Sequence, residues 1–184
     1  NTSDFSTYLA KAKDQGAEVI FCPVSIAYAT QIIKLAASMG LDIPILGSDT
    51  LDSNKVLEAA AGSDVQLYVS TFYQEGGSPE FDDGIKAWLN EDSTAMTNNG
   101  GNDTIAAVTA MGYDAYYVAL EALKAAGSTD PAAVKAALPG VTYTGVTGDI
   151  AFDDIGDAIR DTAYIKVADT ANNAWALETM QKAG

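Results

Sequence analysis

The sequence predicts an α/β fold: a parallel sheet with flanking helices. Three observations carry this. Segments with apolar residues at helical spacing alternate with short apolar runs, at roughly 20–30 residues per unit. Glycine punctuates the early units at Gly16 and Gly40. The chain has 184 residues, 48% of them hydrophobic, enough for a real core in one or two small domains.

Phe5, Tyr8, Leu9 and Ala12 fall on one helical face, and Gly16 can end that helix. Val19-Ile20-Phe21-Cys22 reads as a short buried strand broken by Pro23. Ile26, Ala29, Ile33 and Ala36 mark a second amphipathic helix, closed by Gly40. Ile43 to Leu46 is the next strand. Ser53 reads as the N-cap of a helix through Ala60. Val65 to Phe72 is a third strand. Gln74 to Pro79 is turn-rich and reads as a linker. Phe81 to Leu89 is helical, and the Gly/Asn-rich stretch from Ser93 to Asn102 reads as a loop. Thr104 to Ala126 forms a long helix, and Asp130-Pro131 opens another that ends before Pro139-Gly140. Thr162–Val167 and Asn173–Leu177 read as two strands around a turn at Thr170–Asn173.

Composition excludes several functions. Formal net charge is −15, from 10 basic and 25 acidic residues. Nucleic acid and anionic membrane surfaces are therefore poor partners, because both need clustered Lys and Arg. No apolar run approaches the ~20 residues that span a bilayer. There is no histidine, which removes Ser-His-Asp and Cys-His catalysis and most zinc sites. Cys22 is the single cysteine and reads as a buried structural thiol. Asp153-Asp154-Ile155-Gly156-Asp157 lacks the alternating order of a calcium loop and reads as a tight turn between extended segments. Gly145-x-x-Gly148 has no following Gly-Lys-Ser/Thr, and no Gly-x-Ser-x-Gly is present. No cofactor or metal is called for, and no nucleophile stands out.

Four residues are candidates for a binding site. Asp49 lies just past the end of the Ile43–Leu46 strand, and ligands of open α/β sheets bind beyond strand carboxyl ends. On the residues alone it fits either a ligand contact or a loop carboxylate near the Ser53 cap. Val24 and Ser25 follow the Val19–Cys22 strand in the same way. Ser25 can offer its hydroxyl to a ligand or cap the helix starting at Ile26. Tyr73 ends the third strand, where it can line a cleft or pack.

The run Gly145-Val-Thr-Gly-Asp-Ile-Ala-Phe-Asp-Asp-Ile-Gly-Asp157 follows Met111-Gly-Tyr-Asp-Ala115 and Lys124-Ala-Ala-Gly-Ser-Thr-Asp130. That set, in that order, resembles the C-terminal half of the type I periplasmic binding proteins, in particular the branched-chain amino acid receptors of ABC transporters. Asn1-Thr-Ser-Asp-Phe-Ser6 is similar to the family's entry into a helix of its second lobe. The resemblance covers essentially all of this chain and about half of the family's fold, so an incomplete fold is expected, with the N-terminal half absent. It implies a lobe-two α/β segment over residues 1–73, a lobe-one helical segment with a crossover over 74–161, and strands returning to lobe two over 162–184. It implies an extracytoplasmic solute-binding component of an ABC importer, not an enzyme. A small polar solute, an amino acid above all, would be held by hinge closure and passed to an ABC permease.

The motif Ile45-Leu-Gly-Ser-Asp49 is similar to the family's strand-Gly-x-acid element. There the acidic residue accepts hydrogen bonds from the ligand's ammonium group, so the resemblance gives Asp49 that role. Ser25 falls where such receptors often carry a tyrosine, a departure that puts a branched-chain ligand in question. Two alternatives stay open: a ligand sensor of the same fold in a regulator or receptor, and a carboxylate-based α/β enzyme. The stripe Ile105, Val108, Met111, Ala115 and Val118 would face a lobe-one sheet that the chain does not contain. It is therefore expected to be covered by the chain's own elements or by another copy in a homo-oligomer.

Overall fold

The computed structural model describes residues 4–182. Asn1 to Ser3, part of the entry motif read from the sequence, lie outside the described residues. The order begins with α1 (Ser6–Asp14), β1 (Ile20–Cys22), α2 (Ile26–Ser38), β2 (Ile45–Gly47), a 3-10 turn (Asp49–Leu51), α3 (Asn54–Ala60) and β3 (Leu67–Thr71). Then come α4 (Pro79–Glu91), α5 (Ser93–Asn98), α6 (Ala107–Ala126) and α7 (Pro131–Ala137). Five strands follow among the described residues: β4 (Tyr143–Gly145), β5 (Gly148–Phe152), β6 (Ala158–Ile159), β7 (Thr162–Asp169) and β8 (Ala174–Lys182).

The main sheet runs β1-β2-β3-β7-β8. β1, β2 and β3 pair in parallel, with Ile20 opposite Ile45 and Ile45 opposite Leu67. β7 then pairs antiparallel with β3, and β8 antiparallel with β7. The expected terminal hairpin thus docks on the third parallel strand. Its turn brings Asn173 to a positive φ of 52°, a conformation that asparagine tolerates. Leu9, Ala29, Ile33, Ala36, Val56 and Ala60 come from α1, α2 and α3 and form one core with Ile45, Leu67 and Val69. Cys22 lies inside it, and burial raises its thiol pKa.

Residues 93–102 correct one sequence expectation. The predicted loop contains a helix, α5. The Asp92 carboxylate accepts hydrogen bonds from the Thr94 and Ala95 amides at 2.8 and 3.0 Å and so starts it. Only Asn99 onward is loop. Polar short-chain residues hide so short a helix, because they favour turns as readily.

The face of α6 is a second correction. The side chains it buries are Ala107, Ala110, Asp114, Val118 and Ala122. Val108 is 66% exposed. Of the predicted stripe, Ile105 and Val118 are buried, Met111 is half-buried, and Val108 and Ala115 are exposed, so it is covered only in part. The helix is apolar almost all round, which leaves its face undetermined by periodicity. Asp114 decides it. Its carboxylate accepts from the Val146 amide (2.9 Å), the Thr147 amide (2.8 Å) and the Thr147 hydroxyl (2.5 Å). Gly145 runs directly against this carboxylate, where any side chain would collide with it.

β4, β5 and β6 form a separate three-stranded sheet beside α6. Val118 and Ala122 pack there with Val141 and Ile150. Between β5 and β6 the Asp153 carboxylate accepts from the Ile155 and Asp157 amides. The aspartate cluster is thus a turn, as its order predicts. No group of metal-ligating side chains occurs among the described residues.

Candidate functional site

A cavity of ≈ 570 Å³ opens at the carboxyl ends of β1 and β2. Ser25 and Ile26 line it after β1, and Asp49 and Thr50 line it after β2. These strands are hydrogen-bonded neighbours. Any residue just past their ends is therefore delivered to the same edge of the sheet. The opposite wall comes from Asn98, Asn99 and Gly100 at the end of α5, and from Ala106, Val108 and Thr109 at the start of α6.

Local geometry explains how Asp49 reaches this position. β2 ends at Gly47, whose missing side chain lets Leu51 fold back over the strand. A Cβ there would lie 2.6 Å from Leu51 Cδ2. The chain turns into the 3-10 segment with Leu51 fully buried beneath it and Asp49 at its rim. The Thr50 hydroxyl meets the Ser48 hydroxyl at 2.9 Å. The next helix takes its cap from Ser53, whose hydroxyl accepts from the Lys55 amide at 3.2 Å. Asp49 is therefore not spent on that cap. Among the described residues no cation pairs with its carboxylate. Lys55, on the same wall, pairs with Glu58 at 3.0 Å.

Ser25 occupies the N-cap position of α2, but its hydroxyl makes no capping bond. Its carbonyl serves the helix instead, accepting from the Tyr28 and Ala29 amides. The hydroxyl thus stays with the cavity.

Two of the four candidates lie elsewhere. The side chain of Val24 packs against the main core, and its carbonyl accepts from the Thr50 hydroxyl at 3.4 Å. It steadies the cavity floor and does not line it. Tyr73 is 2% exposed and joins Phe81, Ile105, Ala107 and Ala110 in a second apolar cluster. Its hydroxyl donates to Asp82 at 2.7 Å and accepts from the Ser78 amide at 3.1 Å. Burial, and then the neighbouring Asp82 carboxylate, push this hydroxyl well above the ordinary phenol range. An aromatic at a strand end suggested a cleft contact, but the α4 helix closes over it.

Two other lining residues were not legible in the sequence. The Asn54 amide donates to the Asn99 carbonyl at 2.7 Å and to the Asn102 side-chain oxygen at 2.8 Å. It thus ties the two walls together across 45 residues of chain. Asp52, 3% exposed, lies at the back of the cavity. Its carboxylate accepts from Lys166 Nζ (2.9 Å), the Thr71 hydroxyl (3.1 Å) and the Ala107 amide (3.2 Å). Nothing local predicts either contact, because every partner is distant in sequence.

The arrangement is a mixed α/β sheet with a cavity at its parallel strand ends, on which the Asp49 carboxylate has no cation partner among the described residues. The family model for periplasmic binding proteins matches residues 1–172. The chain belongs to that family. It is 33% identical over 155 residues to Leu/Ile/Val-binding protein homolog 1 of Brucella abortus, which covers 84% of this chain and 39% of that protein. Its fold is similar to a leucine binding protein from Thermotoga maritima, with a TM-score of 0.76 at 24% identity, over 99% of this chain and 49% of that one. A solute binding protein from R. palustris, solved in complex with benzoate, gives a TM-score of 0.74 at 16% identity. That match covers 100% of this chain and 48% of the other. The chain thus spans under half the length of its curated relatives and about half of these structures.

Proposed function

We propose that this chain forms part of the extracytoplasmic solute-binding component of an ABC importer, and that its cavity is one side of a cleft for an amino acid. The observation that carries the reading is the placement of Asp49 and Ser25 at the carboxyl ends of two adjacent parallel strands, on one cavity. Asp49 holds the ligand's ammonium group. An unpaired carboxylate is a poor neighbour for a benzoate-type anion and a good one for a zwitterion. Ser25 offers a hydroxyl to the rest of the ligand, and the Val24 carbonyl holds Thr50 on the cavity wall. Hinge closure over the solute excludes water and strengthens these bonds. Delivery is to an ABC permease.

Calorimetry on the full-length parent protein tests this. L-Leucine or another of the twenty amino acids should bind, benzoate should not, and Asp49→Ala should weaken amino-acid binding about tenfold or more, as loss of a charge-assisted hydrogen bond requires. Unchanged affinity in Asp49→Ala, or tighter binding of benzoate than of every amino acid, would sink the assignment. The 184-residue chain alone should bind these amino acids far more weakly than the parent, because only part of the cleft surrounds the solute.

A further inference from the structure

We propose that Asp52 is a positioning residue of the cavity that forms this side of the cleft, pinning the cavity's two walls to each other and to the sheet through the buried Lys166. One carboxylate oxygen, Asp52 Oδ2, takes bonds from three different elements: Thr71 at the end of β3, Lys166 on β7, and Ala107 at the start of α6. Asp52 itself closes the 3-10 turn that presents Asp49, and its own amide donates to the Asp49 carbonyl at 3.1 Å. Four segments therefore meet at one atom. Two of them are walls of the cavity, Asp49–Thr50 on one side and Ala106–Thr109 on the other.

The helix needs this contact. Ala106 is the N-cap of α6 and has no side chain that can accept from the first turn. Asp52 supplies that acceptor from 55 residues away. A helix start favours a negative charge at this point, so the contact also suits the α6 dipole. Lys166 neutralises the carboxylate and is itself 3% exposed. A pair buried this deeply contributes little net stability compared with apolar residues of the same shape. Its effect lies in direction: if α6 tilts away from the sheet, either the Ala107 amide or the Lys166 ammonium loses its partner. The arrangement makes the separation of the walls nearly all-or-none.

The wall-fixing claim stands on this geometry alone, and only its consequence for affinity rests on the amino-acid reading of the cleft. The test uses the full-length parent as wild type, Asp52→Ala, and the double variant Asp52→Ala/Lys166→Met. The double variant leaves no unpaired ammonium and so keeps the fold if the single variant does not. Hydrogen exchange is read by peptide, and L-leucine affinity by calorimetry. In the double variant, exchange should rise about tenfold in peptides covering 48–53 and 105–110 and stay unchanged over 29–36 and 118–126. L-Leucine affinity should fall about tenfold while the melting temperature stays near that of wild type. Equal loosening of all peptides would show a general structural role and overturn the proposal, as would unchanged exchange at both walls. Loosened walls with unchanged L-leucine affinity would overturn the claim that Asp52 positions the cleft. Loosened walls in a parent whose wild type binds no amino acid would uphold the pin and overturn the reading of the ligand.

Discussion

The sheet half of the molecule and its helical half are held together by different means. Among the described residues, sixteen buried apolar side chains between Leu9 and Val69 form one core, and Ala168 of β7 and Trp175 of β8 pack half-buried against it. The helical segments contribute clusters of only five and four such residues, and these are too small to order the segments by burial alone. Buried carboxylates do much of the rest. Asp82 accepts from the Tyr73 hydroxyl and from the Gly76 amide at 2.6 Å, fastening the linker to α4. Asp114 fastens the β4–β5 turn to α6. Arg160 then returns that turn to the sheet, donating to the Thr147 carbonyl at 3.1 Å and lying over the Phe72 ring at 5.1 Å. Apolar burial acts in every direction, whereas a carboxylate acts only at its donors. The first builds a unit, and the second sets how segments are angled.

Substitutions can break this contrast, beginning with the sheet. Leu67 is fully buried, so Leu67→Ala should cost about 2–5 kcal/mol, with the spread set by how far the cavity collapses. Urea unfolding of the 184-residue chain measures it. A loss below about 1 kcal/mol would show that the core is loosely packed.

Asp114→Ala should cost about 2–3 kcal/mol, because the Val146 and Thr147 donors lose a charged acceptor. Its signature separates it from Leu67→Ala: exchange should rise at residues 143–150 while β1–β3 stay protected. Loss of protection throughout would mean that the helical half is not independently fastened.

A smaller effect depends on pH. The folded-state pKa of Tyr73 lies above its unfolded value of about 10. Below pH ~10 both states keep the phenol proton, and the stabilisation is fully present. As pH rises further, the unfolded chain releases the proton first, so stability falls by up to about 1.4 kcal/mol per pH unit until the folded group titrates. Tyr73→Phe should flatten this alkaline decline relative to the parent chain, as read from urea midpoints between pH 8 and pH 11. An equal slope in both proteins would reassign the decline to another group.

The smallest effect checks the corrected face of α6. Val108 is largely exposed, and Val108→Ser should change the stability of this chain by no more than about 0.5 kcal/mol. Val118→Ser, on the buried face, should cost more than 1 kcal/mol. Equal costs would restore the face predicted from periodicity.

What the sequence determined by itself was the repeating α/β order, the three parallel strands, the Ser53 and Asp130 caps, and the delivery of Asp49 and Ser25 to one sheet edge. These follow from period, turn chemistry and chain direction, all of which act over a few residues. Tertiary structure alone decided that Tyr73 is buried, that Val24 acts through its carbonyl, that Asp114 faces inward, and that Asp52 meets Lys166 across 114 residues. A polar side chain has the same appearance in a sequence whether it faces water or a buried donor. Only the fold brings the donor within reach, and the cost of leaving either group unpaired away from water then keeps them together.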